Sequence, residues 1–359
     1  MLVPPPLRHS AGTVSRGRAS GADCDTRPAG CVSGDRGPDR QCGGDGMTEL
    51  LALTNVAKTY RQRRRVVTAL EDVTLALHAG EILCLVGESG SGKSTIGRIV
   101  TGLVAPTSGD LRYRGHAATA MHRKNLRAHR LGVQMIHQDP YASLNPGMTV
   151  GATLRAPLSR HFRMPRREAH DRLRGLLADV GLTPPETFEG KYPHELSGGQ
   201  RQRVSIARSL TVEPNVLVAD EAVSMLDASI RVSILQMLRN LCEERQLAVL
   251  FITHDLAVAR QFGRDHSIAV MQRGRIVEHR PTADLVSTPE HSYTHALLHA
   301  ARHEGLRSKH SARAKAGQEA AEKQLTTWTA SSTPSDSTNS SVRDRSPMTF
   351  VMPKRRRKS

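Results

Sequence analysis

The sequence predicts an α/β protein with a parallel-sheet core, an antiparallel β subdomain and a helical insertion. Three observations carry this. A continuous apolar run, Ile82-Leu83-Cys84-Leu85-Val86, leads into a glycine-rich loop and then a helical pattern. That is the order of a strand buried on both faces, an anion-binding turn and a helix. From residue 196 to 278, short apolar runs alternate with amphipathic helical stretches, as strands and helices do in parallel sheets. Between these two regions, residues 140–193 turn helical.

Residues 1–46 are rich in Gly, Pro, Arg, Asp and Ser without periodicity, and are expected to be disordered. Met47 precedes the first strand-like segment, Leu50-Leu51-Ala52-Leu53, and is a candidate translation start. Short alternating segments up to residue 80 suggest antiparallel strands, among them Asp72-Val73-Thr74-Leu75-Ala76-Leu77. After the glycine loop, Ile96, Ile99, Val100 and Leu103 recur at helical spacing, with Gly102 near the helix end. Further strands are expected near 109–114 and 132–136. Ala169, Leu173, Leu176, Leu177 and Val180 form one apolar stripe that Gly181 stops and Pro184-Pro185 breaks.

A helix to about residue 210 follows Leu196-Ser197-Gly198-Gly199-Gln200, and Val216-Leu217-Val218-Ala219 reads as a buried strand. Ile230, Ile234, Met237, Leu238 and Leu241 lie on one face of the next helix, and Ala248-Val249-Leu250-Phe251-Ile252 forms the next strand. Strands near 268–271 and 275–278 flank the turn Gln272-Arg273-Gly274. After residue 301 the chain is rich in Ser, Thr, Ala and Lys and ends Lys354-Arg355-Arg356-Arg357-Lys358. This reads as a disordered tail whose basic run is either solvated or in contact with anionic lipid or nucleic acid. The expected organisation is a folded unit over 47–302, with a helical subdomain at about 140–195, between disordered segments 1–46 and 303–359.

Composition agrees. Hydrophobic residues make up 38% of the 359 and aromatics only 3%, low for one compact globule, so part of the chain is left unpacked. The net charge of +17 fits arginine-rich tails around a phosphate-binding core, or an anionic partner. Cys24, Cys31, Cys42, Cys84 and Cys242 contain no C-x-x-C pair, which supports neither a disulfide framework nor a zinc site. No apolar run approaches 18 residues, and no signal-peptide core opens the chain.

The chemistry centres on Gly87-Glu88-Ser89-Gly90-Ser91-Gly92-Lys93-Ser94-Thr95, which fits G-x-x-x-x-G-K-[ST]. Its glycines let successive N–H groups point at phosphate oxygens. Lys93 would reach the β- and γ-phosphates, and the Ser94 hydroxyl would ligate Mg²⁺. Asp220-Glu221 end a buried strand; Asp220 can hold Mg²⁺ opposite the loop, and Glu221 can polarise an attacking water. His254-Asp255 occupy the equivalent place after the next strand, and Gln138, before Asp139-Pro140, offers a neutral amide to the metal or the water. Ser197 suits a helix N-cap, and the Ser-Gly-Gly helix start behind it also offers free N–H groups to a phosphate.

With these residues in this order, the stretch from about 50 to 301 resembles the ATP-binding cassette ATPases, the motor subunits of ABC transporters. The resemblance rests on the phosphate loop, Gln138, Leu196-Ser197-Gly198-Gly199-Gln200, Asp220-Glu221, Ser224-Met225-Leu226-Asp227 and His254. It implies a P-loop NTPase fold of the ABC type and a head-to-tail dimer. Each ATP would lie between the phosphate loop of one subunit and Ser197, Gly198, Gly199 and Gln200 of the other. It implies further that Glu221 is the catalytic base, that His254 contacts the γ-phosphate and that Asp227 signals across the dimer. Tyr60 resembles the aromatic that stacks on adenine, or is an edge-strand tyrosine.

A narrower resemblance, to the oligopeptide/dipeptide and nickel uptake branch, lies in Gln138-Asp139-Pro140-Tyr141-Ala142-Ser143-Leu144-Asn145-Pro146 and His291-Ser292-Tyr293-Thr294-His295-Ala296-Leu297-Leu298. Ser292, Ala222 and Met225 depart from the usual proline, proline and alanine, and the basic tail departs from the usual extension; neither Ala222 nor Met225 removes a chemical group. The implied assembly is a peripheral subunit on the cytoplasmic face of the membrane. It would bind two transmembrane permease subunits and a second, identical or paralogous ATPase, and be served indirectly by an extracytoplasmic solute-binding protein. The segment 140–193 would meet the permease. The rival readings are a soluble ABC ATPase acting on nucleic acid or ribosomes and an accessory ATPase of a soluble complex. A single cassette, no zinc-type cysteine pairs and no aromatic platform argue against specific nucleic-acid binding.

Overall fold

The computed structural model describes residues 48–62, 65–117 and 123–301. The segments expected to be disordered, the terminal basic run, Met47, Cys24, Cys31 and Cys42 lie outside the described residues. In chain order the elements are β1 (Glu49–Gln62), β2 (Arg65–His78), β3 (Ile82–Val86), α1 (Lys93–Val100), β4 (Ser108–Tyr113), β5 (His116–Ala117), α2 (Arg123–Gly132) and β6 (Val133–Ile136). There follow the helices α3 (Pro140–Ser143), α4 (Val150–Phe162), α5 (Arg166–Asp179), α6 (Glu186–Glu189) and, after a 3₁₀ turn, α7 (Gly198–Leu210). The chain continues through β7 (Val216–Asp220), α8 (Ala228–Arg245), β8 (Ala248–Thr253), α9 (Leu256–Phe262), β9 (Ser267–Gln272), β10 (Arg275–Pro281) and α10 (Thr282–Ser287). Residues 292–301 are helical and form α11.

Two sheets result, an antiparallel one in the order β2-β1-β4-β5 and a six-stranded one in the order β10-β9-β3-β8-β7-β6. The larger is parallel from β9 to β6, with β10 added antiparallel at its edge. Side chains alternate across a strand, so every residue of β3 finds a core on one face or the other. Leu83 and Leu85 pack with Ile96, Ile99 and Val100 of α1 against the antiparallel sheet. Ile82, Cys84 and Val86 pack on the opposite face with α7, α8 and α9. A strand buried on both sides must be apolar throughout, which is the pattern its sequence shows. Cys84 and Cys242 are free and buried, and burial pushes both thiols up, Cys242 to about 12. They are core residues rather than reactive thiolates.

The antiparallel strands expected before residue 80 form one hairpin of two 14-residue strands. Register shifts at Leu53/Val56 and Val56/Lys58, together with Asn55 at φ 49°, break the alternation that makes a long strand readable. Leu103 does not continue the apolar face of α1: it lies beyond the helix and is 63% exposed. Gly102, at φ 70°, turns the chain there, with Leu103 N–H donating to Arg98 O and Gly102 N–H to Ile99 O. That is a Schellman stop, so the terminating glycine was legible although the residue after it was not.

In the 140–195 region, the stripe Ala169, Leu173, Leu176, Leu177 and Val180 is buried as its spacing predicts. Asp139 caps α3 by accepting the N–H of Tyr141 at 2.8 Å. α3 is tied to α7 by the Ser143–Ser205 hydroxyl contact at 3.2 Å and by Arg208 donating to the Ser143 carbonyl. Tyr141 is exposed, with the Arg201 guanidinium 3.7 Å from its ring centroid.

Candidate functional site

The candidate residues gather at one edge of the six-stranded sheet. β6, β7, β8 and β3 are neighbours and run the same way, so their C-terminal ends lie side by side, the end at which open α/β sheets bind ligands. The phosphate loop leaves β3, Asp220 and Glu221 leave β7, His254 leaves β8, and Gln138 follows β6 by two residues.

Within the loop, close approach demands glycine. A methyl on Gly87 would lie 2.1 Å from the Met271 carbonyl oxygen. Gly92, at φ 108°, would place one 2.5 Å from the Ala69 carbonyl. Lys93 is buried, and its Nζ donates to the carbonyls of Gly87 and Glu88, both at 2.7 Å, and to Ser91 Oγ at 3.4 Å. Glu88 and Ser89 are exposed, Ser91 is buried and Thr95 is partly buried in α1. Burial pushes the Lys93 ammonium down, opposed by Glu221, Asp220 and Glu88. Burial likewise pushes the Asp220 carboxyl up, countered by the hydrogen bond from Ser94.

The Ser94 hydroxyl donates to Asp220 Oδ1 at 3.0 Å. Adjacent ligands of an octahedral ion with bonds of about 2.0–2.1 Å are about 3 Å apart, so this pair fits one edge of a Mg²⁺ shell. No cluster of three His, Cys, Asp or Glu occurs among the described residues. Further ligands of a divalent ion here would come from the Gln138 amide oxygen, phosphate and water, the usual habit of Mg²⁺.

Glu221 is the hub. Gln138 Nε2 donates to Glu221 Oε2 at 3.0 Å, and His254 Nδ1 lies 3.1 Å from Glu221 Oε1. Gln138 thus keeps its Oε1 as a donor atom for a cation. The Glu221 backbone has φ 48°, left-handed for a residue with a side chain, and its N–H donates to Ile252 O at 3.0 Å. Asp255, beside His254, caps α9 by accepting from Ala257 and Val258 N–H.

Other expected residues stand apart from this hub. Ser197 and Gln200 form a reciprocal capping box at the start of α7, at 3.3 and 3.0 Å. Gly199 packs on α8: a methyl there would lie 2.6 Å from Ile230 Cγ2. Gly199→Ala is expected to lower stability by about 1–3 kcal/mol through overpacking, read as a lower thermal midpoint, with Ile230→Ala restoring part of it in the double variant. An unchanged midpoint would show that the two helices part without cost. Asp227 is exposed at the N-cap of α8 without a capping bond from its side chain. Tyr60 is partly buried on β1, with the Lys58 ammonium 5.2 Å from its ring centroid.

Sequence reasoning gave no role to three contacts. The Ser224 hydroxyl donates to Glu221 O at 2.9 Å and lies 3.5 Å from Gln138 Nε2. The Met271 carbonyl crowds Gly87. The Tyr293 hydroxyl accepts the Glu88 N–H at 3.1 Å. The first lay within a motif already singled out; the others join segments far apart in the chain and leave no local signal.

This geometry sets a glycine-rich loop with a buried lysine beside a carboxylate hub, and comparisons with known proteins narrow what it is. A family model described as ABC transporter matches residues 70–224. A probable peptide ABC transporter ATP-binding protein of Sinorhizobium fredii is 46% identical over 236 residues, which is 66% of each chain. A putative peptide import ATP-binding protein of Brucella ovis is 43% identical over 70% of this chain and 78% of that one. A glutathione import ATP-binding protein of Escherichia coli is 46% identical over 65% of this chain but 37% of its own length. Among solved structures, a dimeric ATP-binding cassette in a post-hydrolysis state with ADP and Pi superposes with TM-score 0.59 at 32% identity, covering 65% of this chain and 99% of that one. The chain belongs to the ATP-binding subunits of the ABC transporter family.

Proposed function

We propose that this chain is the ATP-hydrolysing subunit that energises import of peptides or similar small solutes through two membrane-spanning permease subunits. The observation that carries the hydrolytic reading is the convergence of Lys93, Ser94, Asp220, Glu221, Gln138 and His254 at four neighbouring strand ends. The peptide reading rests on the names of the relatives and on the segments 138–146 and 291–298. The subunit sits peripherally on the cytoplasmic face, and none of its described helices is long and apolar enough to cross a membrane.

Catalysis is positioning plus electrostatics. Lys93 exchanges the loop carbonyls for β- and γ-phosphate oxygens. Glu221 orients and polarises the attacking water, its carboxylate aligned by Gln138 and by His254, which also reaches the γ-phosphate. Ser94, Asp220 and the Gln138 amide oxygen would hold Mg²⁺, which would offset charge on the phosphates. Tyr60 stacks on adenine. Ser197, Gly198, Gly199 and Gln200 of a second ATPase, identical or paralogous and packed head-to-tail, cover the nucleotide, and Asp227 relays its state. Closure drives the permeases through the 140–193 segment, and hydrolysis resets it. A solute-binding protein delivers cargo without touching this chain.

In the free protein, protonated Lys93 costs stability below its lowered folded pKa, and ionised Asp220 costs stability above its raised one. A nucleotide facing Lys93 with Mg²⁺ beside Asp220 would relieve both costs. At a hundredfold excess over Kd, MgATP should stabilise by about 2.7 kcal/mol, or roughly 5–10 °C in a thermal shift assay. ATP with EDTA should give a smaller shift; equal shifts would remove Mg²⁺ from the scheme. For the whole reading, the test is mass identification of partners from detergent-solubilised membranes with MgATP present. Two hydrophobic permeases are expected, whereas ribosomes or nucleic acid alone would overturn the importer reading.

A further inference from the structure

The segment 291–298 takes no part in the chemistry above, yet it reaches the phosphate loop. Tyr293 lies in the first turn of α11, and its hydroxyl accepts the backbone N–H of Glu88, 205 residues away, at 3.1 Å. The seat of α11 is firm. Glu278, only 7% exposed on β10, accepts the N–H groups of Glu290 at 3.0 Å and His291 at 3.1 Å. His291 Nδ1 in turn accepts the Tyr293 N–H at 3.1 Å. Thr294 and Leu298 are buried, and Tyr293 and Leu297 lie against the larger core. Arg280 closes the corner, donating to the Thr288 carbonyl and pairing with Glu290, both at 2.9 Å.

Glu88 is therefore gripped from two sides. Tyr293 holds its N–H, while its carbonyl accepts from Lys93 Nζ at 2.7 Å and from Ser91 N–H at 3.2 Å. When Lys93 turns to a phosphate it gives up that carbonyl, and Tyr293 then remains as the side chain fixing the entry of the loop. Burial foremost pushes the Tyr293 hydroxyl above the usual phenol range, so it stays neutral and keeps a lone pair for the N–H.

We propose that Tyr293 is a positioning residue that pre-forms the phosphate loop, so that the seating of α11 and the binding of nucleotide strengthen each other. This rests on the nucleotide-hydrolysis reading above. Coupling of this kind is reciprocal, so it can be read from either end. Tyr293→Phe keeps the ring and removes only the hydroxyl. It is expected to weaken MgATP binding about three- to tenfold, in the range of one lost hydrogen bond, with kcat within about twofold of wild type. In the native chain, MgATP should slow amide hydrogen exchange over residues 292–301, and Tyr293→Phe should abolish that slowing. Glu278→Gln leaves the hydroxyl intact but loosens the seat of α11, and should weaken MgATP in the same direction. If both variants lower the melting temperature while MgATP affinity and the exchange response stay at wild-type values, Tyr293 serves packing alone and the proposal falls. A native chain that binds no MgATP would instead overturn the nucleotide reading, and the proposal with it.

Discussion

Glu221→Gln is expected to lower the ATP turnover number by about 10²- to 10⁴-fold, the usual contribution of a positioned general base. The substitution is nearly isosteric, so the hydrogen bond from Gln138 at 3.0 Å and the contact with His254 at 3.1 Å can be kept in part. What disappears is the negative charge that polarises water. Binding should survive, because the groups aimed at the phosphates are Lys93 and the loop N–H groups. The variant should therefore accumulate as a closed, ATP-bound dimer, visible by size-exclusion chromatography with MgATP. Turnover at the wild-type rate would remove Glu221 from the base role and leave His254 as the nearest alternative, since it contacts the same carboxylate.

Lys93→Ala should act at the earlier step. The side chain is 5% exposed and its ammonium already bridges two loop carbonyls, so it is held at the point where phosphate charge arrives. Hydrogen bonds to charged groups are worth about 1.5–3 kcal/mol each. Two of them to phosphate oxygens put the loss in affinity at about 10²- to 10⁴-fold, measured by equilibrium titration with MgATP. The kcat/KM should fall at least as far, because the same cation faces charge that builds in the transition state. The fold should persist: burial already disfavours the charged ammonium, and unfolding should stay cooperative. Affinity within tenfold of wild type would mean that the backbone amides alone bind the phosphates.

The places of these two residues were legible because Lys93 belongs to the G-x-x-x-x-G-K-[ST] loop that follows one buried strand and Glu221 directly follows another, and a strand buried on both faces is the easiest element to read. The run at residues 82–86 announced β3, and the apolar 216–219 announced β7, so the residues following them fell at the C-terminal ends of the strands. The long hairpin was not legible in the same way, because Asn55 and the nearby bulges interrupt its period. The Leu103 expectation failed for a related reason: apolar spacing continues in a sequence after the helix has stopped, although Gly102 marks the stop there. Packing between distant segments was least visible. Gly199 against Ile230 and Tyr293 against Glu88 depend on how helices close on the sheet, which no local pattern encodes.

Glu221 itself sets a limit on how this molecule can be improved. Its left-handed backbone at φ 48° suits glycine better than any residue with a side chain. A search for greater robustness guided by backbone preference alone would therefore strip the carboxylate from the site among its first changes. If Glu221 is the base proposed above, durability and turnover pull against each other at this position, and tolerance to heat has to be sought in elements remote from it, such as the bulged hairpin.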